Sequence, residues 1–271
     1  MKALAAPTEE ARKEAAVAAA KFLKNEAGLA AIFELGMDKA LMEAAEHKKS
    51  AEARQGAMEF LLAFLAEFGQ AAEPFMLKML PVVFTTVSDK SKNVATVAEA
   101  VIDAFRKFTA SRPNTAIPLL DVVFEGFQNG KWQSKNAALQ LLLALVGTAP
   151  VQIWHRMPEI VPLMTDLMWD TRAEVAQSAL ECLTACLNII NNKDLTPFIP
   201  ALVAALRDPT MVSETVQQLA STTFVQTVSR AALSGVVPLL LRGLRESTSV
   251  RRQSAKIASN MCKLVEKPNH A

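Results

Sequence analysis

A chain of 271 residues, 51% of them apolar, can bury a sizeable core, which excludes global disorder. Nine Gly, three Trp and no Tyr, with Ala and Leu throughout, disfavour a strand-rich domain and favour helix. A formal net charge of +2 excludes a chain that coats itself with RNA by bulk charge, so any nucleic-acid contact must come from local patches.

In chain order, Met1-Lys2-Ala3 runs straight into a polar helix with no secretory h-region, expected over about residues 8–25. Residues 1–34 are read as N-terminal capping helices, and 35–271 as about six repeats of one domain. The first repeat is degenerate, with helices expected at about 37–46 and 50–69. From there a phrase recurs, an aliphatic residue, Pro, and two residues of which at least one is aliphatic. It runs Leu80-Pro81-Val82-Val83, Ile117-Pro118-Leu119-Leu120, Val161-Pro162-Leu163-Met164, Ile199-Pro200-Ala201-Leu202 and Val237-Pro238-Leu239-Leu240. The prolines stand 37, 44, 38 and 38 residues apart. HEAT units of two helices run about 40–47 residues, so the period fits at its short end.

After each phrase come about two helical turns and a polar break: Ser88-Asp89-Lys90, Gln128-Asn129-Gly130, Trp169-Asp170-Thr171, Arg207-Asp208-Pro209 and Arg245-Glu246-Ser247. A second amphipathic run follows each break. In the one from Glu174 to Leu187, Val175, Ala179, Leu183 and Cys186 recur at helical spacing, and Thr171 stands at capping-box distance from Glu174. An interior proline costs about 3 kcal/mol, so its regular return predicts either a tolerated kink or a first-turn position. The expected fold is all-α, a HEAT-repeat α-solenoid forming a right-handed superhelix of about six antiparallel helix pairs.

Catalytic chemistry finds little support. Gly126-Phe127-Gln128-Asn129-Gly130-Lys131-Trp132 imitates a phosphate loop, yet three residues rather than four separate its glycines, and Trp stands where Mg²⁺ needs Ser or Thr. Cys182 and Cys186 share one helix far in sequence from His47 and His155, so core packing outweighs zinc; with Cys262 they read as thiols of a reducing compartment. His155 has neither a Ser or Cys elbow nor a paired carboxylate nearby in sequence. No catalytic residue, metal or cofactor is expected, and no uncharged apolar run of about 18 residues suggests a membrane span.

The cations are more informative. They gather at the breaks and at the starts of second helices: Lys48-Lys49 with Arg54, Lys90 and Lys92, Lys131 with Lys135, Arg172, and Arg251-Arg252 with Lys256. From Arg242 to Lys263 the cations Arg242, Arg245, Arg251, Arg252, Lys256 and Lys263 face Glu246 alone. Recurring on one edge of stacked repeats they form a ridge for phosphates; taken singly each is a solvated face. Trp132 either stacks on a partner's base or covers its turn.

Longer phrases are more specific still. Gly130-Lys131-Trp132-Gln133-Ser134-Lys135, Arg156-Met157-Pro158-Glu159-Ile160-Val161-Pro162 and Met168-Trp169-Asp170-Thr171 resemble the N-terminal HEAT domain of translation elongation factor 3. So do Asn192-Lys193-Asp194, Asp208-Pro209-Thr210, Thr222-Thr223-Phe224-Val225, Arg242-Gly243-Leu244 and Asn260-Met261-Cys262-Lys263-Leu264-Val265-Glu266. The resemblance covers about residues 130–266; before about 75 it is architectural. It implies a ribosome-binding arm, clamped on rRNA and proteins of the small-subunit head, of a cytoplasmic ATPase with two ATP-binding cassettes that helps release exit-site tRNA. No Walker loop, signature sequence or acidic Walker B strand stands in this chain, so no ATPase activity is expected of it, and as a fragment it is expected to be a monomer. The clustered cations, read together with the resemblance, nominate Lys90, Lys92, Lys131, Trp132, Lys135, Arg172, Arg251, Arg252 and Lys256 for ribosome or RNA contact. The alternative is a protein-only HEAT scaffold, similar to transport receptors or to the coactivator of the amino-acid-starvation kinase, without RNA contact.

Overall fold

Every polar break read from the sequence is a turn between helices in the computed structural model, which describes residues 2–109 and 113–265. Glu266, the end of the last family phrase, lies outside the described residues. Two compact units emerge, Met1–Thr148 and Ala149–Ala271.

In the first unit, α1 (Glu9–Phe22), the single turn α2 (Ala31–Glu34) and α3 (Met37–Ala45) precede α4 (Ala51–Phe68). Then come α5 (Glu73–Thr86), α6 (Lys92–Thr109), α7 (Ala116–Gln128) and α8 (Trp132–Thr148). Ser50 opens α4 by accepting the Ala53 N–H at 3.0 Å, satisfying a donor that the first turn cannot pair internally. In α6 the apolar residues Val94, Ala98, Val101, Ile102 and Phe105 return every three or four positions, and all are buried. First helices pack on first helices, α3 on α5 and α5 on α7; second helices pack on second, α4 on α6 and α6 on α8. Helix α1 covers the other side of α4.

The centre of this unit is aromatic. Phe64 stacks 5.7 Å from Phe60, 4.5 Å from Phe68 and 5.0 Å from Phe75, and burying such a ring contributes about 1.5–3 kcal/mol. Gly56 is required where the N-terminal segment crosses α4, because a Cβ there would stand 1.7 Å from the Leu4 carbonyl oxygen. Beside it Arg12, buried, donates to the Ala6 and Pro7 carbonyls and to Gln55 Oε1, and the Nε2 of Gln55 in turn donates to Glu59 Oε1. Burial pushes the Glu59 carboxyl above its usual range despite Gln55 and Arg12 nearby. Ala51–Thr86, although interrupted by charged residues such as Glu59 and Lys78, is long and apolar enough to cross a membrane by length and composition. The chain turns at Gly69 within it, and Phe60, Phe64, Phe75 and Met76 are packed inside the unit, so this apolarity supplies a core.

The second unit holds α9 (Pro150–Leu167), α10 (Ala173–Asn188), α11 (Ile199–Arg207), α12 (Val212–Ala220), α13 (Arg230–Gly243) and α14 (Thr248–Lys263). Six hairpins, α3/α4 to α13/α14, thus follow one another among the described residues, as the repeat predicts. Their packing changes here. Helix α9 lies against α10 and directly against α13, whereas α11 leans on α10, α12 and α13. Both α11 and α12 have nine residues, too short to fill a whole layer position.

Polar bonds compensate between the loops. Asp194 accepts from the N–H groups of Val225 and Gln226, both at 2.8 Å, while Gln226 accepts from the Lys193 N–H at 2.7 Å. Val228 donates to the Leu264 carbonyl at 2.8 Å in an isolated bridge. The prolines occupy both expected positions: Pro81, Pro162 and Pro238 lie inside helices, Pro118 and Pro200 in first turns. Pro81 and Pro162 face outward, where water reaches the carbonyl each leaves unpaired. The Thr171 capping box does not form. Arg172 is the N-cap of α10, without a side-chain cap bond, and the Asp170 carboxylate takes the Arg172 N–H at 3.0 Å.

Candidate nucleic-acid interface

Most of the nominated cations sit at one recurrent place, the turn inside a hairpin or the first turn of its second helix, while Arg252 and Lys256 lie further along α14. In the first unit Lys90 lies in the α5–α6 turn and Lys92 is the first residue of α6. Lys131 immediately precedes α8, Trp132 begins it and Lys135 lies in its first turn. Two bonds show that these turns share an edge. Arg54, near the start of α4, grips Asp89 of the α5–α6 turn at 2.6 and 3.0 Å; Ser134 of α8 donates to the Phe84 carbonyl at the end of α5. Lys90, Lys92 and Lys131 are exposed, Lys135 and Trp132 half-buried.

In the second unit Arg172 is exposed at the start of α10, 3.3 Å from Glu174, which offsets part of its charge. Arg251, Arg252 and Lys256 are exposed on the first half of α14, a helix with no acidic residue, and Lys263 is exposed at its end. Among the described residues Arg251, Arg252 and Lys256 make no salt bridge, and Ser247 caps the helix they stand on.

Position makes these charges informative. A helix N-terminus carries about half a positive charge, so acidic residues stabilise it by about 0.3–1 kcal/mol and basic ones oppose it. The first turns of α6, α8 and α14 hold no acidic residue and instead carry Lys92, Lys135 and Arg251, with Arg252 the next residue of α14. Folding alone disfavours this placement. Each such end adds a helix dipole and unpaired N–H groups to side-chain charge, the combination that attracts phosphate.

Two cations of the sequence reading are withdrawn from the ridge. Arg54 is bound to Asp89 and to the His47 carbonyl at 2.7 Å. Burial raises the Asp89 carboxyl, but Arg54 and the Ser91 N–H outweigh it and hold the group below its usual range. Arg242 donates to the Ala205 and Leu206 carbonyls at 3.0 and 2.6 Å and covers the Trp169 ring at 5.5 Å. It caps the end of α11 instead of facing a ligand. Trp132 lines a cavity of about 380 Å³ between α6 and α8 with Glu99, Asp103 and Arg106, so it both packs and presents a face. The mock phosphate loop is the α7–α8 turn. Cys182 and Cys186 are core residues, the Cys186 thiol pushed up to about 12 by burial, and His155 packs edge-on against Trp154 at 5.0 Å.

Hairpins of this length, with cations at their inner turns, define the class: an α-solenoid of HEAT repeats. Kap121p has a similar fold, with a TM-score of 0.51 at 14% identity over 95% of this chain and 28% of that one. The family follows from sequence. The EF3 N-terminal HEAT repeat model matches residues 12–183 and the elongation factor 3/GNC1 HEAT repeat model residues 210–271; the chain belongs to the elongation factor 3 N-terminal HEAT-repeat family. It is 41% identical to elongation factor 3 of Phytophthora infestans over 76% of its length and 20% of the relative. With elongation factor 3 of Candida glabrata it shares 36% identity over 98% of its length and 25% of the relative. Elongation factor 3A of Saccharomyces cerevisiae is 38% identical over 82% of the chain and 21% of the relative. The chain thus spans 20–25% of the length of these relatives.

Proposed function

We propose that this HEAT domain is a non-catalytic ribosome-docking module of an elongation factor 3-type protein, working in the cytoplasm as a monomeric arm. The cationic edges meet rRNA and ribosomal protein of the small-subunit head, and the longer protein couples that grip to ATP hydrolysis and exit-site tRNA release. The observation that carries the reading is the placement of Lys92, Lys135 and Arg251 in helix first turns that hold no acidic residue, with Arg252 directly after. Charge placed against the helix dipole is explained by an anionic partner. Lys90, Lys131, Arg172 and Lys256 extend the edges, and Trp132 offers a ring to an unpaired base.

Sedimentation with purified ribosomes across a salt series tests this. Binding should weaken steeply with salt, by roughly 0.7–0.9 log units of affinity per log unit of salt for every phosphate contacted. Reversing Arg251, Arg252 and Lys256 to Glu should flatten that slope and lower affinity at least ten-fold. Salt-independent binding, or binding untouched by the triple reversal, would point to the protein-only scaffold instead.

A further inference from the structure

The direct packing of α9 on α13 leaves an open groove that the cationic edges do not use. Its volume is about 540 Å³. One wall is Leu233, Val237 and Leu241 of α13, spaced four apart on one helix face; the other is Pro158, Pro162 and Thr165 of α9. Val237 and Leu241 are 41% and 56% exposed, two aliphatics one turn apart that open onto the groove. Arg230 stands at one end and Arg245 at the other, both exposed, against Asp166 as the acidic lining residue. Arg242, also at the rim, is already held by the carbonyls of α11. Arg230 opens α13 and Arg245 lies just past its end at Gly243, so the arginines bracket a helix about 20 Å long at 1.5 Å per residue, or about four turns.

We propose that this groove docks an acidic amphipathic helix of a partner protein. Two parallel walls of aliphatic and proline side chains form the furrow that a third helix's ridge enters, its leucine-type residues lying against Val237 and Leu241. The arginines at the two ends select a guest with carboxylates about four turns apart and repel a basic one. Phosphate is a poor occupant, because the floor between the arginines is apolar and would strip water from the anion without replacing its hydrogen bonds. The groove meets a cationic edge at Arg245, in the α13–α14 turn, but its apolar walls lie apart from that edge, and the inference does not rest on ribosome docking.

The test uses the 271-residue chain and a fluorescein-labelled, 16-residue synthetic helix with leucines on one face and glutamates flanking them, followed by fluorescence anisotropy. The same peptide with lysines in place of the glutamates is the control, and an RNA hairpin is the competitor. Saturable binding of the acidic peptide is expected, weakened at least ten-fold in V237E/L241E and in R230E/R245E, with the lysine peptide at least ten-fold weaker on the unaltered chain. These four residues are surface positions, and circular dichroism checks that each variant keeps its helix content. No saturable binding, equal binding of the lysine peptide, indifference to both double variants, or displacement of the peptide by the RNA hairpin would each overturn the proposal. Ribosome sedimentation of V237E/L241E, expected to be unchanged, separates a failure of this site from a failure of the docking edges.

Discussion

The two units solve one packing problem differently. In the first, each helix rests on its counterpart in the next hairpin, so α4, α6 and α8 form one layer and α3, α5 and α7 another. In the second, the nine-residue helices α11 and α12 still meet α13 and α14, but α9 reaches past α11 to α13, and loop hydrogen bonds around Asp194 replace part of the apolar contact. The difference teaches that a repeat holds its register through helix length as much as through its apolar pattern. Where a hairpin is short, the chain keeps its turns and gives up a packing partner. The released surface becomes a groove.

The largest expected effect is in the regular unit. Phe64→Ala should cost about 3–5 kcal/mol, because three rings surround a fully buried one; Leu202→Ala in α11 should cost about 2 kcal/mol. Urea unfolding of the two variants checks this, and the reverse order would break the comparison between the units. In the second unit Asp194→Ala should cost about 2 kcal/mol, since two N–H groups lose a charged acceptor. Hydrogen exchange at Val225 and Gln226 should accelerate in this variant while α9 stays protected; global acceleration would mean that the loops hold up the whole unit.

The periodic proline phrase made the hairpins legible, and the helices at 37–45 and 51–68 fell where the sequence put them. Neighbours were not legible. The prolines of the last three repeats are evenly spaced at 38 residues, yet α9 skips α11 for α13, because periodicity reports which face is buried and not what covers it. The same limit misassigned Arg54 and Arg242. As cations in basic stretches they looked like ridge members, and only three-dimensional proximity reveals Asp89 and the α11 carbonyls as their partners. Arg230, alone in its stretch of sequence, gave no signal at all.

Two smaller effects sharpen the contrast between charges that hold the fold and charges that do not. Asp89 has a folded pKa held below its unfolded value of about 3.9, so its contribution is present above that pH and is lost as pH falls through the folded value. Urea midpoints taken between about pH 4 and pH 2 should fall for the unaltered chain, and fall less for Arg54→Met, which has no pair left to lose. Smallest of all, Lys92→Glu should raise stability by about 0.3–1 kcal/mol by matching the α6 dipole. A thermal melt that moves down instead would show that Lys92 serves the fold and weaken the case for an anionic partner.

The cysteines carry a practical consequence. Cys182 and Cys186 are sealed inside α10, with the Cys186 thiol reluctant to ionise, while Cys262 is exposed on α14. A maleimide dye added to the folded chain therefore finds one address without any engineering. That address shares a helix with Arg251, Arg252 and Lys256, so its emission reports directly on whatever large anion settles there.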